Sequence, residues 1–161
     1  MGKIYRSENT FYEEIEKICN ILYTKDKDIN INFKVHPSMD EKKIKDKINK
    51  LKISFNSFNF TNDHLTECSM KSKLLIIINN SSSWIPALLG KPYIEFASVD
   101  YMHIIKAKKT PINEIDNNTT YNIDDFEKEI NEIDFETSKK RNIFDEFYFR
   151  KDSFYSIFNN N

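Results

Sequence analysis

Hydrophobic and polar positions follow two different periods along this chain, and the switches between them outline its elements. Over 8–24 (ENTFYEEIEKICNILYT), Phe11, Ile15, Ile18, Cys19 and Leu22 fall on one helical face, with Asn9 or Thr10 as the N-cap. Residues 30–35 (NINFKV) alternate and predict a strand that ends at His36-Pro37. A helix over 40–51 follows, with Asp40 near its cap and a sparse stripe of Ile44, Ile48 and Leu51. Residues 53–58 predict a second strand and 63–71 a short helix. The unbroken run KLLIII at 73–78 suits a central parallel strand covered on both faces. A helix is expected from about Ser83 to Leu89 with Gly90 at C′, then a strand over 92–96.

Short connections and this helix–strand alternation predict an α/β fold, a Rossmann-like parallel sheet with helices on both faces. The 161 residues are expected to form a single domain, 1–161. Residues 106–120 (KAKKTPINEIDNNTT) are expected to be a mobile loop, and 121–161 a helical closing segment. Three helical pieces are expected there: 121–133, 138–149 and 151–158.

Composition narrows the function classes. Hydrophobic residues make up 39% and charged residues 30%, with a net charge of −1. No global field draws such a chain to nucleic acid. No apolar run is long enough for a spanning helix, and the N-terminal residues carry no apolar signal core. Cys19 and Cys68 have no metal-site spacing and are read as reduced thiols of a cytoplasmic protein. Because Lys, Asn, Ile and Phe are abundant and Gly occurs twice, isolated Lys or Asn residues carry little meaning.

Ligands of open α/β sheets sit beyond the carboxyl ends of the strands, and two unusual sequences fall there. One is KVHP at 34–37, the other NNSSS at 79–83. Asn80, Ser81, Ser82 and Ser83 precede a helix whose first N–H groups lack internal partners, and their hydroxyls and amides suit a phosphate. The plain alternative is a capping turn, which needs a single serine. His36 is oriented by Pro37 and can donate to a phosphate oxygen, whereas a lone His at a strand end is also a common turn residue. Lys34 is expected to share its side by strand alternation. Glu95 ends a strand and could meet either a ligand hydroxyl or solvent. His64 and Cys68, at i and i+4, are two ligands too few for a metal site, so no metal is expected. The aromatic run FDEFYFRKDSFYSIF is read as helix packing, with domain docking or a membrane interface as alternatives.

Together, FKVHP and, about forty residues later, NNSSSWIPALLGKPYIEF resemble the C-terminal, nucleotide-sugar-binding half of GT-B glycosyltransferases of bacterial surface-carbohydrate synthesis. The nearest likeness is to the sialyltransferase and polysialyltransferase group with its HP and serine motifs. Capsule-polysaccharide transferases and glycerophosphotransferases share similar patterns. The likeness spans about residues 10–100, and the closing helices ending FDEFYF add to it.

The resemblance implies that His36 is catalytic, contacting the donor phosphate and aiding its departure. It implies that Lys34, Pro37, Asn80, Ser81, Ser82 and Ser83 bind that phosphate, and that the donor is a CMP-sugar such as CMP-sialic acid. No metal or other cofactor is required on this reading. The partners would be the nucleotide sugar and a separate or missing N-terminal acceptor domain carrying the base, in the cytoplasm or peripheral to the inner membrane. Two features depart from the pattern. Pro86-Ala87 stands where many such enzymes place a ribose-binding Glu-Ala pair, and no acidic motif replaces the base. The alternative functions are an inactive interaction module that retains the fold, or a relative of the glycerophosphotransferases and capsule transferases.

Overall fold

The computed structural model describes residues 8–37, 39–51, 53, 57–79, 82, 85–86, 89–106, 108–110, 112–114 and 118–133. The helices expected at 138–149 and 151–158 lie outside the described residues. In chain order the elements are α1 (Glu8–Lys25), β1 (Asn30–Phe33), α2 (Glu41–Ile48), β2 (Ser57–Phe60), α3 (Leu65–Lys71) and β3 (Leu75–Ile78). They are followed by β4 (Tyr93–Phe96), α4 (Val99–Ile105), a 3₁₀ turn at Ile112–Glu114, β5 (Thr119–Thr120) and α5 (Ile123–Glu132).

Among the described residues, all strand pairing is parallel. β1 pairs β2 with Ile31 opposite Phe58, and β4 lies between β3 and β5 with Glu95 flanked by Ile77 and Thr119. Among the described residues the two ladders are separate in hydrogen bonding. They are joined by packing, because Ile31 of β1 and Ile78 of β3 both contact the same two hydrophobic clusters. β2 contributes to one of those clusters and β4 to the other, so the two ladders share apolar packing through Ile31 and Ile78.

Side-chain alternation sorts the helices onto faces. Ile94 and Phe96 of β4 pack with Ile18 and Leu22 of α1 and Phe126 and Ile130 of α5. The Phe96 and Phe126 rings meet edge to face at 6.1 Å between centroids. On the same side, Tyr12, Ile15 and Cys19 of α1 meet Ile44 and Ile48 of α2. The opposite face of β3 and β4 presents Leu75, Ile77 and Tyr93 to Ile112 and to Leu65 of α3. Each fully buried aliphatic or aromatic side chain contributes about 1.5–3 kcal/mol. Lys25, in the last turn of α1, donates from Nζ to the carbonyls of Ile130 and Ile133, the latter at 2.5 Å, and so caps the carboxyl end of α5.

The β1–β2 ladder is covered unevenly. Phe33, Phe58 and Phe60 pack toward α1 and α2, while Asn30, Asn32 and Asn59 are exposed on the other side. This is uncommon for parallel strands, which are usually covered on both faces.

Several expectations shift. Asn9 and Thr10 lie inside α1 rather than capping it. β2 falls at Ser57–Phe60, later than the expected 53–58, because Phe58 and Phe60 supply the buried side of the ladder. α4 begins just after Ser98, whose Oγ accepts from the Tyr101 N–H. The stretch expected as a loop, 106–120, carries the 3₁₀ turn and β5, with Thr110 and Ile112 buried. The expected cap at Gly90 is present: its φ is 61°, and Lys91 N–H donates to the Pro86 carbonyl at 2.9 Å, a Schellman closure.

Candidate functional site

The first motif begins where β1 stops. The strand ends at Phe33, so Lys34 and His36 stand on irregular backbone, and strand alternation no longer fixes them to one side. The Met39 N–H donates to the His36 carbonyl at 2.9 Å, closing a β-turn with Pro37 at its second position. Proline pre-sets φ for that position. The turn delivers the chain to Asp40, whose carboxylate accepts from the Lys43 N–H at 3.1 Å and caps α2. His36 and Pro37 are exposed at this turn, and Lys34 is half-buried. The Lys34 ammonium lies close enough to Cys68 of α3 to lower that thiol's pKa, although burial, the larger effect, leaves it raised overall.

The second motif begins where β3 stops. Asn79 has a left-handed backbone, φ 50°, which asparagine tolerates better than most residues. Its N–H donates to the Phe96 carbonyl at 2.9 Å, and its Oδ1 accepts from the Ser98 N–H at 2.8 Å. The first asparagine of NNSSS therefore ties the end of β3 to the end of β4. Ser82 follows, half-buried in a short 3₁₀ turn. Asn80, Ser81 and Ser83 lie outside the described residues.

Pro86 is buried beyond this loop, at the position where the resemblance expects a ribose-binding carboxylate. The His36 turn follows the carboxyl end of β1 and the serine loop that of β3, two strands that share two hydrophobic clusters. The chain after β1 reaches β2 within one ladder, while the chain after β3 reaches β4 within the other.

The remaining sequence candidates take structural places. Glu95 is neither at solvent nor aimed at a ligand. It is 1% exposed in the middle of β4 and accepts from the hydroxyls of Thr110 and Thr119, the latter at 2.8 Å. The sequence hint was a carboxylate in an otherwise apolar strand, and its threonine partners are remote in sequence. His64 caps α3, with Nδ1 accepting from the Thr66 N–H at 3.4 Å. Cys68 donates weakly to the Asp63 carbonyl at 3.7 Å. Among the described residues, no three His, Cys, Asp or Glu side chains gather as metal ligands, and no helix is long and apolar enough to cross a membrane.

Comparison with protein-family models, with curated proteins and with solved structures gives no match for this chain.

Proposed function

We propose that the chain is a Rossmann-like domain that binds the phosphate of a nucleotide sugar, and that it serves as the donor-binding half of a GT-B-type glycosyltransferase resembling the sialyltransferases. The observation that carries this reading is the placement of two loops. The His36-Pro37 turn follows the carboxyl end of β1 and the 79–83 loop that of β3, strands that share two hydrophobic clusters. Ligands of open α/β folds bind beyond the carboxyl ends of the strands, where both loops begin.

In this reading, backbone N–H groups and hydroxyls of the serine loop hold the phosphate oxygens, as turns before helices do for anions. His36, exposed at its turn, donates to the leaving phosphate. Lys34 contributes positive charge at longer range. The donor is a CMP-sugar, bound without a metal. Acceptor recognition and the general base are assigned to a separate domain.

Titration calorimetry with CMP, CDP, UDP and GDP tests the reading. Millimolar or tighter binding of at least one is expected, and the lack of any such binding overturns it.

Pro86 supports a second reading, an interaction module that has lost nucleotide chemistry, because the proline side chain offers no carboxylate to accept from ribose hydroxyls. Light scattering after size exclusion separates the two. A stable oligomer whose mass and stability ignore nucleotides favours the module.

A further inference from the structure

Glu95 is an unusual residue for its position. It sits at the third place of β4, between Ile77 and Thr119, where glutamate is disfavoured and burial of its charge is costly. The costs are offset locally. Thr110 and Thr119 both donate to Oε2, and the two hydroxyls lie 3.2 Å apart. The carboxylate's charge also reaches α4. The Tyr101 phenol is pushed up, first by burial and then by Glu95.

Thr110 belongs to the connection from α4 to β5. Among the described residues, that connection touches the sheet's apolar face through Ile112, which covers Leu75, Ile77 and Tyr93. We propose that Glu95, Thr110 and Thr119 form a polar latch that fastens the 106–118 connection across β3 and β4, and that the connection releases from the sheet as a unit when the latch is broken.

The physical basis is the asymmetry of buried hydrogen bonds. Hydroxyl-to-carboxylate bonds are stronger than neutral ones. Removing one hydroxyl leaves a buried carboxylate under-satisfied, which costs more than the bond's net contribution. Replacing all the polar partners by apolar groups of similar shape is close to neutral. A latch of this kind is conditional, whereas an apolar contact in its place would hold at all times. Release would uncover Leu75, Ile77 and Tyr93.

Hydrogen exchange of the full chain, read by mass spectrometry, tests the latch. In Thr110→Val, amides of 106–118 are expected to exchange at least about tenfold faster, while α1 keeps its protection. The triple variant E95M/T110V/T119V is expected to restore protection of 106–118 to near the wild-type level. Thr119→Val removes the other arm and carries the same expectation should Thr110→Val not fold. The proposal is overturned if the single variants leave 106–118 unchanged, if α1 loses protection in parallel, or if the triple variant fails to restore it.

Discussion

The Asn79 side-chain carbonyl accepts from the Ser98 backbone N–H at 2.8 Å, so the residue that turns the chain out of β3 also holds the start of α4. Two properties of one asparagine are in use, its tolerance of φ 50° and its acceptor. Substitutions separate them. Asn79→Gly keeps the backbone freedom and loses the acceptor, leaving the Ser98 N–H unpaired, at a cost of about 1–2 kcal/mol. Asn79→Ala also places a Cβ in the left-handed region, adding roughly 1–2 kcal/mol more. Urea denaturation should rank wild type above Gly and Gly above Ala. An alanine variant as stable as the glycine variant contradicts the account.

The nucleotide reading predicts selective losses. His36→Ala and Ser82→Ala should each weaken binding of the best nucleotide by about tenfold or more, as expected for a lost hydrogen bond to a charged group. Thermal stability should barely change in His36→Ala, because that side chain is exposed. Calorimetry on both variants checks this, and unchanged affinity in both removes these residues from the site.

Cys19 predicts an alkaline limit to stability. Burial, with a smaller contribution from Glu16, pushes its thiol up to about 12 from an ordinary value of 9.0. The unfolded thiol ionises first, so above pH 9 the folded state binds more protons and stability falls as pH rises toward 12. Below pH 9 this contribution is fully present. The thiols of Cys68 and the phenol of Tyr101 are raised as well and act in the same direction. Cys19→Ala should flatten the decline of urea midpoints between pH 9 and pH 11, without abolishing it. The same burial should keep Cys19 unreactive toward thiol reagents in the native protein, with Cys68 modified first.

α5 closes the core, and two contacts measure how firmly. Phe126 is fully buried against Phe96, so Phe126→Ala should cost about 3–5 kcal/mol. Lys25→Met keeps most of the side chain's length but removes the ammonium from the end of α5, and should cost about 1 kcal/mol. Denaturation midpoints of the two variants test both values. A Lys25→Met protein as stable as wild type would show that water satisfies those carbonyls equally well.

Much of the fold was legible where one period dominates. The α1 stripe of Ile15, Ile18, Cys19 and Leu22 is buried as its spacing requires, and the apolar run at β3 is a parallel strand with hydrophobic clusters on both faces, although it stands at the end of the β3-β4-β5 ladder. The α2 cap and the Gly90 turn followed from single residues with strong local preferences. β5 was not legible, because two threonines are too short to show a period and are held by pairing with β4. α4 was marked by Ser98 alone. At the site, the two loops could be placed at strand ends from sequence. The use of Asn79 and Glu95 as internal tethers could not, since Ser98, Thr110 and Thr119 reach them through the fold.

The bare side of the β1–β2 ladder has a practical use. Asn32 is exposed one residue before the end of β1 and close in sequence to the His36 turn. A fluorophore attached there replaces no packing and reports from near the proposed phosphate site. Since Cys19 is sealed in the core, an Asn32→Cys protein that also carries Cys68→Ser would offer a single reactive thiol. Its emission could then follow ligand arrival in real time.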